Sequence, residues 1–133
     1  MPSFSAFEVV KTAKGACLFD GEFFTTSGTG GSQTVPTFPS SYSAFKGVPV
    51  RSGTGVWSIT MRDPAYKVLR ATVDVFSTVG NHVDVLMQAN TTDSSGRLVL
   101  NWTFCTVGTA TPADIATGQV FNVFVAYSEV SIA

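Results

Sequence analysis

The sequence predicts an all-β protein, an antiparallel β-sandwich or jelly-roll-like barrel that carries a long loop-rich N-terminal arm. From about residue 56 to residue 127, short segments alternate apolar and polar residues, which is the period of a half-buried strand. Clusters of Gly, Asn, Asp and Ser separate these segments, and connections this short favour antiparallel pairing. No window of eleven or more residues holds a capped apolar period of 3.6, so we expect little helix.

The first predicted strand of this series covers residues 56–61. Trp57, Ile59 and Met61 lie on one face of the alternation and polar side chains dominate the other. The Asp-Pro pair at 63–64 ends the strand, because proline cannot donate a ladder hydrogen bond. We expect a loop or a single helical turn to follow.

Residues 71–76 and 83–87 alternate in the same way, with Gly-Asn at 80–81 between them. The short connection predicts that the two strands form a hairpin. Asp74 and Asp84 would then point to its polar face. A matched carboxyl pair is what acid/base glycosidases use, but a solvated polar face is the simpler interpretation.

The last two predicted strands cover residues 97–105 and 119–127. A turn cluster at 91–96 precedes the first, so we expect a hairpin there. Between the strands, residues 112–114 are the best candidate for a single turn of helix. The apolar faces of these two strands consist of Leu98, Leu100, Trp102 and Phe104, and of Phe121, Val123, Val125 and Tyr127.

The first 55 residues have a different character, so we divide the single structural unit into an N-terminal arm at 1–55 and a β-sandwich at 56–133. The arm is rich in Phe, Gly, Ser and Thr, with one or two short strands expected at 4–10 and 16–24. Residues 25–55 carry many Gly and Pro and no periodicity, which is typical of a functional loop or of an arm that lies on a partner. A loop folded back over its own sandwich is the alternative. The aromatic residues expected to contact a partner are Phe4, Phe7, Phe38, Tyr42 and Phe45.

The charge of the chain argues against two classes of partner. Eight basic and nine acidic residues give a formal net charge of −1, so we expect neither nucleic acid nor an anionic membrane as a partner. A weakly charged, apolar-rich chain tends to associate, so we expect a homo-oligomer or a component of a larger assembly. Cys17 and Cys105 fit no metal or CxxC spacing and are expected to be free thiols. No signal peptide or membrane segment is recognisable, which predicts a chain made in a cytoplasm.

The sequence offers little that points to catalysis. His82 is the single histidine, and a solvated residue at the start of a strand is its simplest interpretation. No cluster of His, Cys and acids suits a metal ion, and the glycines at 28–31 lack the Lys-Ser/Thr of a phosphate loop. Trp57 and Trp102 would make a sugar-binding platform if exposed, but their positions favour core packing. We therefore expect that the protein is not an enzyme and that it binds neither a cofactor nor a metal ion.

Two segments resemble a group of small virion proteins of tailed bacteriophages. Residues 55–66 read GVWSITMRDPAY, and with residues 66–73 they are similar to the group's Gly-x-aromatic strand, Asp turn, Tyr-x-x-Leu and alternating strand. Residues 114–125, DIATGQVFNVFV, resemble the turn that leads into the group's final strand. The chain differs in having Ile115 where proline is usual, and in ending its final strand in AYS at 126–128. The likeness covers about the last eighty residues.

The resemblance implies a capsid decoration or cement protein, an all-β subunit that binds the outside of a phage head and stabilises it by bridging capsid subunits. It implies the major capsid protein as a partner, a trimer as the favoured oligomer, and a place on the virion exterior after synthesis in the bacterial cytoplasm. No catalytic residues carry over. The alternatives are a carbohydrate-binding or host-adhesion β-sandwich of a virion, a major coat protein of a small virus, and an unrecognised hydrolase.

Overall fold

The computed structural model describes residues 17–26, 43–76 and 82–128. Within these ranges the chain forms strands and turns and no helix. The strands are β1 Leu18–Thr25, β2 Val50–Gly53, β3 Val56–Thr60, β4 Lys67–Phe76, β5 Val83–Met87, β6 Thr91–Thr92, β7 Leu98–Thr106 and β8 Val120–Ser128.

These strands form two antiparallel sheets, as expected for a β-sandwich. The smaller sheet has the order β1-β8-β4, and the larger has the order β2-β3-β7-β5, with β6 also paired to β7. Every pairing is antiparallel. The prediction of an all-β, antiparallel fold is therefore confirmed.

The core lies between the two sheets and is aromatic. Phe121 of β8 meets Trp57 of β3 with ring centroids 5.7 Å apart, and meets Trp102 and Phe104 of β7 at 6.2 Å and 5.6 Å. Tilted and edge-on contacts of this kind suit the ring quadrupoles. All four side chains are fully buried, so the predicted inward faces of β3, β7 and β8 are confirmed.

The predicted hairpin of residues 71–76 and 83–87 is wrong. β4 pairs with β8, while β5 pairs with β7, so the two strands belong to different sheets. Asp74 and Asp84 consequently do not share a face and form no carboxyl pair. Alternation determines which side of a strand is buried, but it carries no information on the partner strand.

The helical turn expected at 112–114 is also absent from the described structure. Pro112 instead forms an isolated bridge with Cys105. The Asp114 carboxylate accepts two hydrogen bonds of 2.9 Å from the Arg51 guanidinium and one of 2.8 Å from the Gly55 amide. Through these bonds, the Asp114 side chain connects the segment to β2 and to the β2–β3 turn.

Two described parts of residues 1–55 lie in the sheets. The strand expected at 16–24 appears as β1, an outer strand of the smaller sheet, and β2 forms a hairpin with β3. The turn of that hairpin needs Gly55, whose φ is 68°, a conformation that residues with a Cβ rarely adopt. The strand expected at 4–10 lies outside the described residues.

Candidate functional site

The residues predicted to contact a partner are mostly outside the described part of the chain. Phe4, Phe7, Phe38 and Tyr42 fall there. Phe45 is described and is buried in its own core, where it forms a β-bridge with Met61. Its ring is therefore enclosed by its own chain in this conformation.

The candidates for chemistry and sugar binding are scattered. His82 is exposed at the start of β5. Trp57 and Trp102 are both 0% exposed, which confirms the expected core packing. Cys17 and Cys105 are free, the first half-buried and the second buried. Among residues 17–26, 43–76 and 82–128, no three His, Cys, Asp or Glu side chains are grouped so that they could hold a metal ion.

The most distinctive surface is the outward side of the smaller sheet. Phe19, Phe23, Leu69 and Phe76 on this sheet are 46%, 56%, 55% and 47% exposed. We call these four side chains, together with the half-buried Phe124 among them, the outer aromatic face. A folded chain normally keeps such groups apart from one another, so their grouping requires an explanation.

The rings of this face contact one another across all three strands. Phe19 of β1 stacks on Phe124 of β8 with centroids 6.0 Å apart and planes 22° apart, and Phe23 of β1 lies 5.6 Å from Phe76 of β4. The ring of Phe124 also lies close to Gly21, since a Cβ at Gly21 would be in ordinary contact with it at 3.4 Å. The exposed rings therefore form two contacting pairs on one face of the sheet.

Few charges interrupt the patch. Arg70 and Asp74 both project from β4 on the exposed side, with Thr72 between them. Neither forms a salt bridge with another described residue. Asn122, beneath the rings, donates its Nδ2 hydrogen to the Glu22 carbonyl at 3.3 Å, so this polar side chain is satisfied within the sheet.

Sequence reasoning placed the partner contacts in the arm and missed this face. The adjacent pair Phe23 and Phe24 held the signal, because neighbouring residues of a strand point to opposite faces. Phe24 is buried in the core, so Phe23 must point outward. A contiguous exposed apolar patch is characteristic of a protein interaction surface.

A second unusual feature is a carboxyl pair on the inward side of β1. Glu22 is 4% exposed, and its Oε2 accepts a hydrogen bond from the Ser43 hydroxyl. Asp20, two residues earlier on the same face, accepts a bond of 2.7 Å from the Ala44 amide. The second Glu22 oxygen, Oε1, has no donor.

This arrangement raises the proton affinity of Glu22. Burial and the neighbouring Asp20 carboxylate raise the pKa of Glu22 to about 8, and they outweigh the opposing effects of Ser43 and Arg62. At neutral pH, Glu22 is therefore held mostly as the neutral acid. Since the group is enclosed, it connects β1 to residues 43–44 and does not present an acid to a substrate.

Comparisons of the chain with protein-family models, with curated proteins and with solved structures gave no match. In the described part of the chain, no helix has the length and apolar character needed to cross a membrane.

Proposed function

We propose that this chain is a virion structural protein that binds the outer surface of a phage head and stabilises it by bridging capsid subunits. The observation that carries the proposal is the outer aromatic face, since it equips a small rigid domain for binding another protein surface. The resemblance of residues 55–73 and 114–125 to phage virion proteins indicates which assembly that is. The proposal includes no catalytic step.

The free energy available from burying this face against another protein supports a role in assembly. A half-exposed phenylalanine leaves about 100 Å² of apolar surface in water, which corresponds to roughly 2.5 kcal/mol on burial. The three half-exposed rings and Leu69 together offer about 10 kcal/mol before the cost of association is subtracted. A contact of this size needs no charged partner and no cofactor.

The residues of the resemblance build turns in this fold. Gly55 occupies a positive-φ turn, and the Asp63 carboxylate accepts a hydrogen bond of 2.8 Å from the Ala65 amide. Asp114 ties its loop to Arg51 and Gly55. In the proposal, these residues stabilise turns of the fold, and exposed side chains make the binding contacts.

The arm completes the proposal. We assign Phe4, Phe7, Phe38 and Tyr42 to contacts with the major capsid protein or with a neighbouring copy, and we retain the jelly-roll-like framework with a long N-terminal arm as the finer description of the fold. Neither nucleic acid nor a membrane is a proposed partner. The carbohydrate-binding alternative loses the platform it required, because both tryptophans are enclosed.

The test begins with purified particles of the phage whose genome carries the gene. Mass spectrometry should find the chain in intact heads, and cryo-electron microscopy should place its density on the capsid exterior. Heads that lack the gene should lose DNA at a lower temperature, and adding the purified protein back should restore their stability. A gene outside any phage genome, heads without the chain, or unchanged stability of the deleted heads would each refute the proposal.

A matched pair of variants sharpens the add-back experiment. Phe23→Ser changes the outer aromatic face, while Leu86→Ser changes an apolar residue of similar exposure on the other sheet, 48% against 56%. We expect the first to bind deleted heads more weakly and the second to bind as the unaltered chain does. Equal loss in both variants would contradict a role for the smaller sheet.

A further inference from the structure

We infer that the outer aromatic face binds a second copy of the same chain across a two-fold axis. The two-fold axis lies in the plane between the two copies. It runs perpendicular to the strands, through the row that holds Phe124. The inference rests on the proposed function, in which this face is an assembly surface. Because one face holds one partner at a time, the dimer is the form of the free protein, and it must dissociate before the face contacts a head. The inference follows from how the face is laid out.

The antiparallel register arranges the outward side chains in rows that run across the sheet. Each row holds one residue from β1, one from β8 and one from β4. In that order, the rows are Phe19, Ala126 and Arg70; Gly21, Phe124 and Thr72; Phe23, Asn122 and Asp74; and Thr25, Val120 and Phe76.

This layout is complementary to itself about its second row. A two-fold axis along that row places the first row of one copy over the third row of the other. Phe19 then faces Phe23 of the second copy, and Phe124 faces its own equivalent. Contacts of this kind, in which one patch meets the same patch, are the signature of a two-fold dimer.

The charges of Arg70 and Asp74 favour an axis across the strands over an axis along them. With the axis across the strands, Arg70 faces Asp74 of the second copy, and symmetry makes the pair twice. With the axis along the strands, β4 would face β1, and Asp74 would lie against the apolar Phe23 with no cation opposite. Burying an unpaired carboxylate is costly. Arg70 and Asp74 have no ion-pair partner among the described residues of their own chain, so both are free for this contact.

Leu69 and Phe76, the other exposed apolar residues of this sheet, also contact each other under this two-fold rotation. Leu69 is the extra residue at the register shift between Val68 and Arg70, which places it just beyond the first row. Phe76 lies in the fourth row, on the opposite side of the axis. The operation brings Leu69 towards Phe76 of the second copy, so each exposed large hydrophobic residue described on this sheet obtains an apolar partner.

The size of the face predicts a weak dimer. Strands lie about 4.8 Å apart and rise about 3.3 Å per residue, so three strands with nine residues in the central one cover roughly 400 Å² on each copy. A total of roughly 800 Å² is at the low end of specific contacts. The dimer should therefore form and dissociate with protein concentration.

Sedimentation equilibrium of the purified full chain, from about 10 µM to about 1 mM, tests the inference. The unaltered chain should fit a monomer–dimer equilibrium. Arg70→Asp alone and Asp74→Arg alone each place like charges together at both symmetric pairs, and each should weaken self-association by about tenfold or more. An equimolar mixture of these two variants should associate as strongly as the unaltered chain, and so should the double variant R70D/D74R.

Two apolar variants provide the matched control. Phe23→Ser should also weaken the dimer, while Leu86→Ser on the other sheet should leave it unchanged. Four results would overturn the inference: a monomer throughout the concentration range, a trimer, charge variants whose mixture fails to recover, or equal effects of the two serine variants. The capsid proposal is tested separately, since a monomer that still decorates heads refutes only the dimer, and a dimer missing from heads refutes only the capsid role.

Discussion

Replacing Glu22 by Gln should remove a pH dependence of stability that the unaltered chain shows between pH 5 and pH 8. The pKa of Glu22 is raised from 4.5 to about 8 in the folded chain, so the folded state holds a proton that the unfolded state has released. Raising the pH through this window therefore favours unfolding. Each tenfold difference in proton affinity corresponds to about 1.4 kcal/mol, so the free energy of unfolding should fall by about 3 to 4 kcal/mol across the window.

The Gln side chain reproduces the neutral acid. Its amide oxygen can accept the hydrogen bond of the Ser43 hydroxyl, and the amide carries no charge at any pH in this window. The variant should consequently show nearly constant stability from pH 5 to pH 8. At pH 8 it should be more stable than the unaltered chain by a few kcal/mol, by the same proton-affinity argument.

Urea unfolding at several pH values measures this effect. Trp57 and Trp102 are both buried, so their fluorescence should move to longer wavelength when the core opens. Asp74→Asn is the matched control, because it removes an exposed carboxylate that has no ion-pair partner among the described residues. It should leave the pH dependence unchanged. A flat profile in the unaltered chain, or an equal slope in the Glu22→Gln variant, would refute the raised pKa of Glu22.

Three further outcomes are expected. Gly55→Ala should destabilise the fold by about 3 kcal/mol or more, because the new Cβ would lie 2.5 Å from the Phe104 carbonyl oxygen and φ is +68° at this position. Gly53→Ala is the control and should cost under about 1 kcal/mol, since the space around Gly53 is open. Equal losses of stability in urea unfolding would contradict this prediction. Arg51 holds the pKa of Asp114 below its usual range. The pair should therefore stabilise the folded chain above about pH 4, and this stabilisation should be lost on further acidification. In acid unfolding curves, the Asp114→Asn variant should not show that loss. The Cys105 thiol is 1% exposed and should react with a thiol reagent on the order of a hundredfold more slowly in the folded chain than in urea; comparable rates would show that this part of the core opens.

Local pattern was sufficient where a single strand carries its own signal. Trp57, Trp102 and Phe121 were assigned to the core from period-two alternation, and all three are fully buried. The absence of a helical period likewise predicted the strand-only structure of the described residues. These properties depend on neighbours two positions away, which the sequence displays directly.

Pairing between strands was not accessible in the same way. The hairpin expected from residues 71–87 does not form, because β4 finds its partner in β8, which lies far along the chain. Phe45 was interpreted as an anchor for a partner, but the bridge to Met61 draws it into the core. Whether an aromatic side chain of a loop turns inward or outward depends on the surface that this loop reaches.

The outer aromatic face separates what the sequence determines from what the tertiary structure determines. The pair Phe23 and Phe24 requires one ring on each side of β1, and the sequence alone determined that one of them would not be in the core. Only the tertiary structure decided that the other ring would join Phe76 and Phe124, because those residues come from β4 and β8, which long-range pairing brings into the same sheet as β1. The raised pKa of Glu22 has the same origin, since residues 43–44 must fold over β1 before the carboxyl is enclosed. Alternation is a property of a segment, whereas a patch or a buried charge is a property of the neighbours that the fold supplies.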